Sequence, residues 1–189
     1  MSETVKYFGY GANRDPKMIS FITGRPEEEL VGKPATLEGF GLGVQRLDQV
    51  LDSLSAGSIL PISVRALLLE SWDDRFRSYI IFPKPDSRIV GTIWELSDQD
   101  RDRVRDWELV GDWYKDDSGT ATTDDGEKVD LITESLGDGQ EFDHEVDGLN
   151  YETWLNPVAM FETVASKARK EYDERLSGGP EGSPSTTNP

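Results

Sequence analysis

The sequence predicts a small α+β domain built around a curved sheet or barrel. Runs rich in β-branched and aromatic residues alternate with short, capped helical runs. Glycines interrupt one of those runs, PATLEGFGLG, as they do at bulges and at the corners of tightly curved sheets. A chain of 189 residues, 35% hydrophobic, with 5 Trp, 6 Tyr and 7 Phe, can fill one substantial core but not two.

Val5 to Tyr10 reads as the first strand, ending at Gly11-Ala12-Asn13-Arg14. Asp15-Pro16 then supplies an N-cap with proline at the first helical position, and the short helix stops near Gly24. Pro34 to Gln45 is the glycine-marked second strand. LDQVLDSL has helical spacing, with Leu47, Val50, Leu51 and Leu54 on one face, while SVRALLLESW fits either a helix or a buried strand. Ser78 to Phe82 is a strand expected to close at the turn Pro83 to Asp86, and Arg88 to Leu96 is the clearest strand in the chain. Ser97, with Asp100 three residues on, opens a charged helix ending near Glu108. Trp113–Thr122 and Lys128–Glu134 form a strand pair around Asp124-Asp125-Gly126, followed by an acidic loop from Gly137 to Gly148. Met160 to Leu176 is the closing helix, and 177–189 is a disordered tail by composition.

Composition excludes much. With 20 basic and 37 acidic residues the net charge is −17, a surface that repels phosphate backbones and anionic lipids. Nucleic-acid and membrane partners are therefore not expected. The longest apolar runs fall well short of the roughly 18 residues that span a bilayer. No basic segment precedes an apolar one at the N-terminus, so a cytoplasmic location is expected. There are no cysteines and one histidine, His144, which leaves neither thiolate chemistry nor a multi-histidine metal site. Chemistry here falls to carboxylates, tyrosines and backbone amides. The Asp116-Asp117 and Asp124-Asp125 pairs lack the alternating spacing of a calcium loop and read as solvated turns.

The stretch YFGYGAN is the most distinctive. Its glycines let the backbone approach a ligand, and successive amides can face an anion or a polarised carbonyl. A plain strand-to-helix turn has the same pattern. Glu108, read by itself, is one acid among many.

The ordered set of blocks adds more. YFGYGANRDPKMI resembles the YFAYGSN-type signature of the γ-glutamylcyclotransferase-like family. KPATLEGFGL resembles that family's second-strand block, and RIVGTIWELSDQDRDRVRDWE resembles the strand and capped helix that end in its catalytic glutamate, here Glu108. Trp113-Tyr114 and the helix after Pro157 fit in the same order, so the resemblance spans roughly residues 5–175. It implies a small mixed β-barrel flanked by helices, forming one domain over 1–176 with an enlarged insertion at about 48–77. It also implies cyclisation of a γ-glutamyl amine or amino acid to 5-oxoproline, without metal or cofactor, in a monomer or homodimer. Glu108 would be base and then acid, and Tyr7, Phe8, Gly9, Tyr10, Gly11, Ala12, Asn13 and Tyr114 would hold substrate. Ala12 stands where the family motif has serine, Leu109 where glycine is common, and Met160 or Phe161 near a substrate-binding tyrosine. A small-molecule binding protein on the same fold and a small-amide hydrolase are the alternatives. In all these readings the partner is a small γ-glutamyl-like or carboxylate molecule.

Overall fold

The computed structural model describes residues 4–178. In chain order the elements are β1 Thr4–Gly9, α1 Pro16–Thr23, β2 Gly32–Arg46, α2 Val64–Ser71 and β3 Arg77–Ser97. Then follow α3 Asp98–Trp107, β4 Tyr114–Thr123, β5 Lys128–Leu136, β6 His144–Val146 and α4 Val158–Ser177. The tail expected at 177–189 lies, apart from its first two residues, outside the described residues. Among the described residues no helix is long and apolar enough to cross a membrane.

The six strands form one mixed sheet in the order β3-β1-β5-β4-β2-β6, curled so that β3 also pairs with β2. This corrects the expected β-barrel. Barrel closure needs neighbouring strands paired along a staggered register all the way round. Here β1 and β5 meet at one parallel pair, Tyr7↔Ile132, and β6 continues the sheet beyond β2. The result is a curled sheet with flanking helices.

Its curvature comes from the long β2–β3 hairpin. The register runs from Arg46↔Arg77 to Phe40↔Pro83, then resumes at Glu38↔Arg88. Gly39, at φ 82°, supplies the left-handed backbone that this bulge needs. The turn expected at Pro83 to Asp86 is instead part of one continuous β3. Pro85 falls in the skipped stretch, where its missing N–H costs no ladder hydrogen bond. The expected helix over Leu47 to Leu54 is a single 3-10 turn, Leu47–Gln49; Leu47 and Val50 are buried but Leu54 is exposed. SVRALLLESW resolves as α2, capped by the Ser63 hydroxyl accepting from the Ala66 amide at 3.2 Å. His144, expected in a loop, is in β6.

Alternation along β1 divides the core. Tyr7 joins a cluster of helical and strand residues that includes Met18, Ile22, Leu68, Val104 and Phe161. Phe8, one residue on, points the other way into a strand-built cluster with Leu37, Leu42, Ile81 and Ile89. The Asp15 cap of α1 forms as read, its carboxylate accepting from the Lys17 amide at 2.9 Å, a contact worth about 1 kcal/mol.

Candidate active site

Two chain ends meet at the site. The first is the 3-10 turn Gly11–Arg14 that follows β1. Gly9 lets this turn fold back tightly, since a Cβ there would stand 2.2 Å from the Asn13 carbonyl oxygen. That oxygen accepts from the Trp94 indole at 2.8 Å, which fixes the turn to β3. The opening amides of such a turn have no partner within it. The Gly11 amide donates to the Tyr151 hydroxyl at 3.3 Å, and Ala12 follows it on the cavity wall. Tyr151 in turn donates to the Val90 carbonyl at 2.6 Å, and Arg14 holds the Tyr151 carbonyl at 2.8 Å.

The second is the C-terminus of α3, where Glu108 is the cap residue. The Val110 amide donates to the Arg105 carbonyl at 3.1 Å and the Leu109 amide to Asp106 at 3.2 Å, the two bonds of a Schellman motif. Such a motif needs a left-handed residue after the cap, and Leu109 takes that place at φ 49°. A side chain in this region costs on the order of 1–3 kcal/mol. Glycine would avoid that cost, which accounts for the glycine that the resemblance leads one to expect there.

The Asn13 amide joins the two. Its Nδ2 donates to Glu108 Oε1 at 2.6 Å and to the Tyr7 hydroxyl at 2.9 Å. Behind them lies a charged pair that sequence reasoning missed. Arg101 Nη1 approaches Glu134 Oε1 to 2.5 Å, both side chains being nearly fully buried. The approach is not aligned as a hydrogen bond, and Arg101 Nη2 reaches out to Asp116 at 3.1 Å. The guanidinium also lies 5.2 Å from the centre of the Tyr7 ring. One signal was available: Arg101 lies seven residues, two helical turns, before Glu108, so both share a face of one helix.

These surroundings set the proton on Glu108. Burial pushes its carboxyl up to about 8, and the negative charge of Glu134 adds to the shift; the Asn13 hydrogen bond and Arg101 oppose it. The negative end of the α3 dipole acts in the same direction as burial. Glu134 is also raised, chiefly by burial, with Arg101 and the Tyr7 hydroxyl drawing it down. Tyr7, Tyr10 and Tyr114 are all raised by burial first; Glu134 comes next for Tyr7, Glu108 for Tyr114, and Tyr114 itself for Tyr10.

Glu108 opens into a cavity of about 870 Å³. Tyr10, Gly11, Ala12, Asn13 and Tyr114 stand on its wall with Glu108. Tyr7, Phe8 and Gly9 do not; they lie behind it in β1, and Tyr7 reaches the site only through its bond to Asn13. Tyr114 is itself anchored, its hydroxyl 2.8 Å from Ser78 Oγ and 2.9 Å from the Tyr79 carbonyl. The segment 48–77 also contributes to the wall, with Leu60, Leu68, Trp72 and Phe76 among its lining residues. Among the described residues no group of His, Cys, Asp or Glu is placed to hold a metal ion.

No protein-family model matches the chain, and no curated protein matches it in sequence. Solved structures do. A γ-glutamyl cyclotransferase is 16% identical and superimposes with a TM-score of 0.56, over 98% of this chain and 93% of that one. The chain has the cyclotransferase fold. An uncharacterized protein from Homo sapiens shares it, at 15% identity and a TM-score of 0.54, over 99% of this chain and 95% of that one. The match extends over nearly the whole of each chain.

Proposed function

We propose that this protein is a γ-glutamylcyclotransferase-like enzyme that needs no metal. It converts a γ-glutamyl amine or γ-glutamyl amino acid to 5-oxoproline and releases the amine. The observation that carries this reading is a carboxyl group raised to about 8, at the wall of a cavity, held by the asparagine of a glycine-bordered turn. The cyclotransferase fold supports it.

The reaction suits these groups. The substrate's α-amine arrives as an ammonium, whose positive charge beside Glu108 favours the carboxylate. Glu108 takes one proton, the freed nitrogen attacks the γ-carbonyl carbon, and a five-membered lactam closes. Glu108 then returns that proton to the leaving nitrogen as its bond to that carbon breaks, and the second proton shed by the ring nitrogen also passes to the released amine, which leaves as an ammonium. The Ala12 amide is the donor for the developing oxyanion. Since attack is intramolecular, holding the γ-glutamyl chain folded supplies an effective molarity of roughly 10⁵ M or more, and no side-chain nucleophile is needed.

The test is incubation with γ-glutamyl amines, γ-glutamyl amino acids and glutathione, assayed for 5-oxoproline, with Glu108→Gln in parallel. Production in the parent, reduced about 10²-fold or more in the variant, is the expected result. Free glutamate in place of 5-oxoproline would reassign the site to hydrolysis. Neither product from a folded protein would leave a binding role.

A further inference from the structure

A γ-glutamyl group fills only part of a cavity of about 870 Å³, which is at the upper end of what drug-sized ligands occupy. The remaining wall is aromatic and continuous. From Trp107, next to Glu108 in sequence, ring contacts run to Phe161 at 6.5 Å between centroids and on to Trp72 at 4.9 Å. They continue to Phe76 at 5.0 Å and end on Trp113 at 6.0 Å. All five rings line the cavity. Trp107 and Trp113 flank Glu108 in the chain, Phe161 comes from α4, and Trp72 and Phe76 come from the 48–77 segment.

The charges on this wall favour one kind of ligand. Asp106, Glu171 and Glu174 line it, against Arg77, Lys167 and Arg175. Arg175 is already bound to Asp106, Lys167 lies 3.8 Å from Glu171, and Arg77 is exposed. A carboxylate on the leaving group would face three acids, two committed cations and one exposed arginine, Arg77. A neutral ring meets aromatic surface, and the amine it becomes can leave as an ammonium past carboxylates.

We propose that the leaving group is a large, neutral arylalkylamine, so that the substrate is a γ-glutamyl arylalkylamide. This rests on the cyclotransferase reading above. The C–N bond formed joins the substrate's α-nitrogen to its γ-carbon, and the C–N bond broken releases the arylalkylamine. The α-ammonium sheds two protons in becoming the lactam N–H, and both leave on that amine, which departs as an ammonium, so the reaction balances with no co-reactant. The ring would lie among Trp72, Phe76, Trp113 and Phe161 while Glu108 and the Tyr10–Asn13 turn hold the γ-glutamyl part.

Three probes decide it: γ-glutamyl phenethylamide, γ-glutamyl methylamide and γ-glutamylphenylalanine, which adds a carboxylate to the same ring. The kcat/KM for 5-oxoproline release should favour phenethylamide over methylamide by about a hundredfold or more, since even one added methylene in an apolar pocket discriminates about tenfold. Phenethylamide should also exceed γ-glutamylphenylalanine. Phe76→Leu and Trp72→Leu keep the site apolar and should narrow the phenethylamide preference. Equal or reversed preference between phenethylamide and methylamide overturns the proposal while leaving the cyclotransferase reading intact. Calorimetric binding of the same amides separates the two ideas when no 5-oxoproline forms. Tighter binding of phenethylamide then retains the aromatic subsite and removes the reaction; equal binding removes the subsite as well.

Discussion

Asn13 donates to the Glu108 carboxylate at 2.6 Å, a bond that spans 95 positions of the chain and joins the turn after β1 to the end of α3. This donor favours the charged carboxylate and holds its pKa down. Asn13→Ala should therefore move Glu108 above about 8. The acid limb of the kcat/KM profile should move to higher pH, and the rate at pH 7 should drop about tenfold for every pH unit that the limb moves. An acid limb that stays in place would show that the profile reports another group.

Glu134 acts on Glu108 in the opposite sense, since its negative charge raises the same pKa. Glu134→Gln should shift the acid limb to lower pH. The substitution also leaves Arg101 buried with only Asp116 as its acid, at 3.1 Å. Breaking a buried pair costs on the order of 3–5 kcal/mol, so the melting temperature should fall even as the acid limb improves. Both readouts come from one purified variant.

Stability should depend on Glu108 in a defined pH window. Its folded pKa, about 8, lies above the ordinary value of 4.5. Between those values the folded state holds a proton that the unfolded state releases, so this group's contribution falls as pH rises through the window. Glu108→Gln has no proton to lose and keeps a polar partner for Asn13. Its melting temperature relative to the parent should rise from pH 5 to pH 9, and a constant difference would count against the raised pKa.

Gly9 is where a single methyl group should disrupt the site. A Cβ there would lie 2.2 Å from the Asn13 carbonyl oxygen and 3.0 Å from the Trp94 indole nitrogen. Gly9→Ala should displace the turn, break the Trp94 contact and misplace the Asn13 donor. A loss of about 2 kcal/mol or more in denaturant unfolding is expected, together with a greater fractional loss of activity.

Local chemistry made most elements legible. The Asp15 and Ser97 caps and the Asp124 to Gly126 turn all rest on contacts between near neighbours in sequence. What failed depended on distant partners. The 3-10 turn at Leu47–Gln49 shares its helical spacing with a real helix, and only packing of Leu47 and Val50 decides where it ends. Pro83 and Pro85 read as a turn because a strand partner able to tolerate them, the bulged β2, could not be seen in sequence. Closure into a barrel depends on how far β1 and β5 pair, and a strand's own sequence says nothing of that length. At the site, the capped helix and the block order pointed to Glu108, and Asn13 was named with its turn. Glu134 was invisible because it sits in β5 between Thr133 and Ser135, where an acid ordinarily faces water.

Part of the aromatic wall comes from a different stretch of the chain from Glu108. Glu108 and Asn13 belong to α3 and the turn after β1, whereas Trp72 and Phe76 hang from the segment that links β2 to β3. Rewriting that one connection would thus reshape the cavity wall while the contact between Glu108 and Asn13 is inherited unchanged.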